Sequence, residues 1–314
     1  PYNFKVWAHD LKKMDYRWIG ERVATVDLER IQKNIELDKD DISWGPNSVF
    51  RFPKRGGTGA VWEAVGRLIQ ADKIKTKHRL QKINAKNKIL HFENSFSQKF
   101  SKLLITAPIH KTCEWMELPL RSPLLSSNSH IIGVGIEGSL PKFLEKKCWI
   151  YFPEAQSPFY RVTVFSNYSP AHVPDPKRHW SLMCEVSESN EKPVNSATVI
   201  DETLKSLCDM GFLDSRQKVK SSWHFLAAPG YPTPFLGRDE IVSDLLLEMK
   251  RHDIYSRGRF GLWKYEASNQ DHTFMQGFEW SDHILFDQKE ETAFEPQLVN
   301  SRPKTPAREL KKIR

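Results

Sequence analysis

The chain carries a glycine pattern of the dinucleotide type, but another strand follows it too soon for the fold that pattern usually builds. Gly133-Val134-Gly135-Ile136-Glu137-Gly138 matches G-x-G-x-x-G and follows the strand-like Ile131-Ile132, and Glu154 stands near the spacing of a ribose-binding acid. In a nucleotide-binding βαβ unit such a loop must open a helix that packs back on a parallel sheet. That crossover takes about a dozen residues or more. Here only Pro141 to Lys147 can be helical before Cys148-Trp149-Ile150-Tyr151 begins a new strand. The crossover is too short, and the pattern reads as a glycine-rich strand in an antiparallel sheet.

The surrounding sequence agrees. His130–Val134, Cys148–Phe152, Tyr160–Phe165 and Trp180–Val186 have strand texture, Asn167 to Lys177 is a proline-bearing loop, Val199 to Met210 is helical in pattern and Lys218 to Phe225 strand-like. Residues 128–231 are therefore expected as an antiparallel-sheet domain. To either side the texture is α/β. Arg51-Phe52-Pro53-Lys54-Arg55-Gly56-Gly57-Thr58-Gly59 is a glycine-rich loop opening onto a helix over Ala60 to Ile69. Leu80–Ile83 and Ile89–Phe92 predict a hairpin around Asn84-Ala85-Lys86-Asn87, and Leu103–Thr106 a further strand. Trp44-Gly45-Pro46-Asn47 reads as a turn, and helices are expected around Glu240–Lys250 and Met275–Leu285. The fold class is mixed α/β (α+β in detail). Its segments are 1–127, the sheet block 128–231, a return to α/β over 232–286, and a solvated, disordered basic tail over 287–314.

Composition narrows the function classes. The formal charge of +8 favours an anionic partner, whether nucleic acid, nucleotide or sugar nucleotide. No apolar run approaches the ~18 residues of a membrane span, and Pro1-Tyr2-Asn3-Phe4 is not a signal peptide. Cys113, Cys148, Cys184 and Cys208 form no CxxC pair, which argues against a zinc site or disulfide framework and fits a reducing cytosol. No metal is expected. The chain starts at Pro1 without an initiator methionine, which reads as a fragment of a longer product.

A series of longer motifs adds to this reading. In order they are Pro1-Tyr2-Asn3-Phe4-Lys5-Val6-Trp7-Ala8, Gly20-Glu21-Arg22-Val23-Ala24, the Arg51 to Gly59 loop, and Cys148-Trp149-Ile150-Tyr151-Phe152-Pro153-Glu154. Pro158-Phe159-Tyr160-Arg161, Phe165-Ser166-Asn167-Tyr168-Ser169-Pro170, Gly230-Tyr231-Pro232-Thr233-Pro234 and Ser256-Arg257-Gly258-Arg259-Phe260-Gly261 come next. Trp263, Tyr265 and Asn269-Gln270-Asp271-His272 complete the series. From residue 1 to about 286 this succession resembles the eukaryotic (fungal-type) UDP-galactopyranose mutases, a family within the amine-oxidase-like flavoproteins.

The resemblance implies a partial FAD-binding α/β domain interleaved with an antiparallel-sheet substrate domain. It implies interconversion of UDP-galactopyranose and UDP-galactofuranose through a sugar adduct at N5 of reduced FAD, with NADPH or NADH as electron donor. Chemistry of this kind leaves the protein to bind, orient and supply charge. By resemblance Arg161 and Arg259 are the guanidinium forks on the diphosphate, a geometry that suits arginine better than lysine. The hydroxyls of Tyr151, Tyr231 and Tyr265 reach the phosphates, and Asn3 is similar to a further substrate-contacting asparagine. FAD contacts are implied for the Gly56, Gly57, Thr58 and Gly59 loop, for Leu80 near the adenine, and for Asn269, Gln270 and Thr273 opening the last helix. The implied partner is a UDP-galactose-type sugar nucleotide rather than nucleic acid or a membrane, in the cytoplasm, with a homo-oligomer left open.

Three departures from the family pattern stand out. The upstream dinucleotide fingerprint, the helices that bracket the uridine and the histidine loop beside the flavin are absent, so this chain alone is expected to be colourless and inactive. Phe225-Leu226-Ala227-Ala228 follow His224 where relatives carry basic residues, and Ser268 replaces a glycine before Asn269. These changes keep two alternatives open: an FAD-dependent oxidoreductase of the same superfamily acting on another substrate, and a non-catalytic remnant.

Overall fold

A computed structural model describes residues 1–19, 27–39, 50–215 and 218–300. The Gly20 to Ala24 motif, the Trp44 to Asn47 turn and residues 301–314 of the expected tail lie outside the described residues. In chain order the helices are α1 (Tyr2–Trp7), α2 (Leu28–Glu36), α3 (Gly59–Arg67), α4 (Ile109–Met116) and α5 (Val199–Asp209). They continue with α6 (Arg238–Arg251), α7 (Gln270–Phe286), α8 (Glu291–Phe294) and α9 (Pro296–Asn300). The strands are β1 (Leu80–Asn84), β2 (Ile89–Phe92), β3 (Ser97–Lys99), β4 (Leu103–Ile105) and β5 (Ser126–Glu137). After them come β6 (Trp149–Tyr151), β7 (Arg161–Val164), β8 (His179–Glu188), β9 (Val219–Pro232) and β10 (Ile254–Ser256). The chain divides into two compact units, one of Pro1–Met14, Phe50–His78 and Leu124–Leu236, the other of Asp15–Val49, Arg79–Pro123 and Gly237–Arg314. The expected sheet block of 128–231 falls within the long segment of the first unit, which also takes in the chain start and the glycine-rich loop.

The first unit is built on an antiparallel sheet in the order β6-β7-β8-β5-β9. Strand side chains alternate between faces, and this sheet sorts them cleanly. Ile132, Val134 and Ile136 of β5 join Val162 and Val164 of β7 and Leu182, Cys184 and Val186 of β8 in one core, closed by Val199, Leu204 and Leu207 of α5. Each such fully buried aliphatic chain contributes roughly 1.5–3 kcal/mol. The opposite face carries the other phase: Tyr151, Arg161, Glu185, Ile131 and Phe225 form one cross-strand row.

The glycine pattern now has its physical reason. Gly135 faces Ser221 of β9 so closely that a Cβ would meet its Oγ at 2.5 Å. Gly138 takes φ +121° just beyond β5, a conformation that favours glycine. Close strand approach and strand exit, not a nucleotide, account for these two glycines. Helix α1 is pinned within the same unit: Lys5 Nζ donates to Phe152 O at 3.0 Å and Ser157 Oγ at 2.6 Å, and Ser187 Oγ donates to Lys5 O at 2.6 Å.

The second unit contains the meander β1-β2-β3 and the parallel pair β4/β10. The predicted hairpin is present, with Asn84 Oδ1 accepting from Asn87 N at 3.0 Å to close its turn. One expectation is corrected here. Residues 287–300 do not continue as a solvated tail but form α8 and α9. Glu290 receives Arg257 Nε and Nη2 at 2.7 and 2.6 Å, and Glu279 of α7 accepts from Thr292 N and Oγ1, both at 2.8 Å. The low apolar content of this stretch hid it, because buried polar pairs rather than an apolar face hold it down.

Candidate functional site

In the first unit, sheet register places Tyr151 of β6 opposite Arg161 of β7, and Arg161 opposite Glu185 of β8. Arg161 Nη2 donates to Glu185 Oε1 at 2.7 Å. Burial by itself would weaken the charge of Arg161, but the Glu185 carboxylate offsets this and holds the guanidinium protonated well above its ordinary range. Tyr231 of β9 lies close enough to contribute to that field. Burial also pushes the Tyr160 phenol well above its usual range. Tyr151 is 54% exposed, so this cluster opens to solvent at the β6 end.

On β5 and β7 of this sheet, buried side-chain atoms are left without a hydrogen-bond partner: Arg161 Nε, Thr163 Oγ1, Ser127 Oγ and Ser129 Oγ. Orphaned donors and acceptors of this density cost stability unless a ligand or water meets them. Asn3 sits exposed on α1, whose neighbours Tyr2 and Trp7 make edge contacts with Tyr151 at 6.2 Å and Tyr231 at 6.0 Å. One unit thus brings together Tyr151, Arg161, Tyr231 and the helix bearing Asn3.

The glycine-rich loop belongs to the same unit. Gly56 and Gly57 have φ +76° and +60°, and a Cβ at Gly57 or Gly59 would meet nothing within 4 Å. Thr58 caps α3 without a side-chain hydrogen bond. The loop is held by Ser169 Oγ donating to Lys54 O at 2.6 Å, and by Phe52 packed edge-on against Tyr168 at 4.9 Å.

In the second unit, Arg259 follows β10, and its Nε donates to the carbonyl and Oγ of Ser268, each at 3.2 Å, while Nη2 reaches the same carbonyl at 3.0 Å. Ser268 Oγ in turn donates to Tyr265 O at 2.7 Å, and Tyr265 packs edge-on against Trp18 at 5.8 Å. Asn269 caps α7 without a side-chain cap bond, Gln270 is its first residue, and Thr273 Oγ1 donates back to Asn269 O and Gln270 O. Leu80 opens β1, against which α4 packs. This unit brings together Arg259, Tyr265 and the α7 start.

Two residues escaped the sequence reading. Glu185 had one readable signal, a charged residue inside the otherwise apolar end of the strand Trp180–Val186. Gln276 had none: it is fully buried on α7, accepts from Gly258 N at 2.8 Å and donates to Ala267 O at 2.8 Å, bracing the chain beside both Arg259 and Ser268. Among the described residues no group of three or more His, Cys, Asp or Glu could hold a metal, and no helix is long and apolar enough to cross a membrane.

The fold is mixed α/β with antiparallel sheets, similar to that of amine-oxidase-like flavoproteins. A candidate protoporphyrinogen oxidase from Exiguobacterium sp. 255-15 shares it at TM-score 0.56 and 15% identity, over 72% of this chain and 51% of that one, a likeness of fold alone. Much stronger is the similarity to a reduced UDP-galactopyranose mutase, at TM-score 0.89 and 42% identity over 96% of this chain. The chain spans 66% of that mutase's length. No family model matches.

Proposed function

We propose that the chain belongs to the UDP-galactopyranose mutases and serves the interconversion of UDP-galactopyranose and UDP-galactofuranose. The observation that carries this is the likeness in sequence and structure to one such mutase along nearly the whole chain. The first unit sets Arg161 beside Tyr151 and Tyr231, and in the second Ser268 links Arg259 to the Tyr265 carbonyl. Guanidinium and phenol donors suit the oxygens of a diphosphate leaving group, which must be held until the sugar recloses. The partner is a UDP-galactose-type sugar nucleotide, not nucleic acid or a membrane, and the setting is cytoplasmic.

The residues present fit FAD as cofactor. The positive-φ glycines and the open space at Gly57 and Gly59 admit close backbone approach, and the starts of α3 and α7 lack side-chain caps. By resemblance, Gly56, Gly57, Thr58, Gly59, Leu80, Asn269, Gln270 and Thr273 are the residues that would hold it. When bound and kept reduced by NADPH or NADH, FAD supplies an electron-rich nucleophile for the anomeric carbon. The chain's own work is to hold phosphate charge with Arg161 and Arg259 and to orient the sugar with Tyr151, Tyr231, Tyr265 and Asn3.

A second reading is an FAD-dependent oxidoreductase with a less charged substrate. Trp223 and Phe225 favour it: they stack at 5.9 Å, are 58% and 53% exposed, and Phe225 shares the sheet face of Arg161. The test is anaerobic product chromatography alongside the flavin spectrum, on the natural protein with dithionite-reduced flavin. The mutase reading expects the two UDP-sugars to interconvert with no net use of reductant. If UDP-galactose stays untouched while another substrate bleaches oxidised flavin stoichiometrically, the oxidoreductase reading replaces it.

A further inference from the structure

Ser268 is 4% exposed and sits between two residues of the proposed phosphate-binding set. A serine hydroxyl has one proton and two acceptor lone pairs. Its proton is spoken for by Tyr265 O, a carbonyl that can only accept, at 2.7 Å. The lone pairs are therefore left for a donor, and Arg259 Nε lies 3.2 Å away. The Ser268 carbonyl takes Nε and Nη2 of the same guanidinium at 3.2 and 3.0 Å. One residue thus holds an entire edge of Arg259. The hold is itself braced, because buried Gln276 bonds Gly258 N on one side of it and Ala267 O on the other, each at 2.8 Å.

We propose that Ser268 is a positioning residue: its hydroxyl locks the Nε/Nη2 edge of Arg259 inward and so fixes how that guanidinium meets the diphosphate of a sugar nucleotide. The ligand half of the proposal rests on the mutase-type reading above, and the positional half does not. A glycine or alanine at 268 would keep the carbonyl bonds but lose the hydroxyl bridge, leaving Arg259 freer to rotate about Nε–Cζ. Preorganisation lost in this way appears as weaker binding rather than as unfolding.

The experiment has two readouts on the natural full-length protein. The first is the Arg259 Nε–H resonance in nitrogen-15 NMR, assigned by its disappearance in Arg259→Lys. It should exchange slowly in the wild type, exchange measurably faster in Ser268→Ala, where only the carbonyl still accepts, and slow again in Ser268→Thr, which keeps the hydroxyl. The second is calorimetric UDP binding. Ser268→Ala should weaken it about fivefold, Ser268→Thr should leave it within about twofold, and Ser268→Ala should add nothing in an Arg259→Lys background, as expected when one residue acts through another. An unchanged Nε–H signal in Ser268→Ala overturns the proposal. So does a fivefold loss that persists in the Arg259→Lys background. If the wild type shows no UDP binding while the resonance behaves as expected, the sugar-nucleotide reading falls and the positioning of Arg259 stands.

Discussion

In the sheet-bearing unit Arg161 leans on a carboxylate that is itself buried, whereas in the other unit Arg259 is gripped by the carbonyl and hydroxyl of one serine. The two arrangements fail differently. Take away Arg161 and Glu185, 5% exposed, is left as a desolvated charge without its partner. Take away Arg259 and the acceptors released on Ser268 are neutral, at the cost of ordinary hydrogen bonds. Arg161 therefore carries fold stability along with any role toward ligand. The place of Arg259 depends instead on the backbone turn that presents it.

The largest difference between the units is expected at that turn. Gly261 packs so tightly that a Cβ would overlap Arg257 O, a backbone atom that cannot swing aside. Gly261→Ala should cost about 3 kcal/mol, in the upper range for overpacking, and should disturb the Arg259–Ser268 contact as it does so. Urea unfolding followed by tryptophan fluorescence measures this. A loss under about 1 kcal/mol would mean the turn yields and Arg259 is not held through it.

A smaller effect tests the carboxylate side. Arg161→Ala should destabilise by about 2 kcal/mol, less than for a fully buried pair because the Arg161 side chain is 26% exposed. Arg259→Ala should cost about half that. Adding Glu185→Leu to Arg161→Ala should recover most of the loss, since the stranded charge goes with it. Equal losses for the two single arginine variants would erase the distinction between the units.

The smallest effect concerns the first unit's edge. Lys13 hydrogen bonding, then the Asp10 backbone N–H and His9, hold the Glu191 carboxyl at about 2 against an ordinary 4.5. Because the folded value is the lower one, this tether is complete above pH 4.5 and is lost as pH falls towards about 2. Trp7 fluorescence should report loosening of the chain start across that window, and Glu191→Gln should remove the pH dependence. An unchanged titration in the variant would place the transition elsewhere.

How far the sequence could be read depended on how local the relevant physics was. The strands of the sheet, the Asn84 hairpin and the helix after Gly59 were legible because alternation, turn chemistry and helical spacing act over a few residues. The brevity of the Pro141–Lys147 link was enough to reject a nucleotide crossover at Gly133-Val134-Gly135, and β5 does run straight through it. Site residues were legible only as members of motifs. That Arg161 answers to Glu185, 24 positions away, or Gly258 to Gln276, 18 away, appears only once the elements have packed.

Order along the chain was enough for the antiparallel block and for the likeness to a mutase, because strand texture and motif succession are both written in consecutive residues. Packing alone reveals that 287–300 folds back through Glu290 and Thr292, that the first unit draws on three separated segments, and that Ser268 touches Arg259. The physical reason is common to all three. A hydrogen bond or ion pair between distant residues depends on where packing carries their side chains, and no local preference of either residue encodes that meeting.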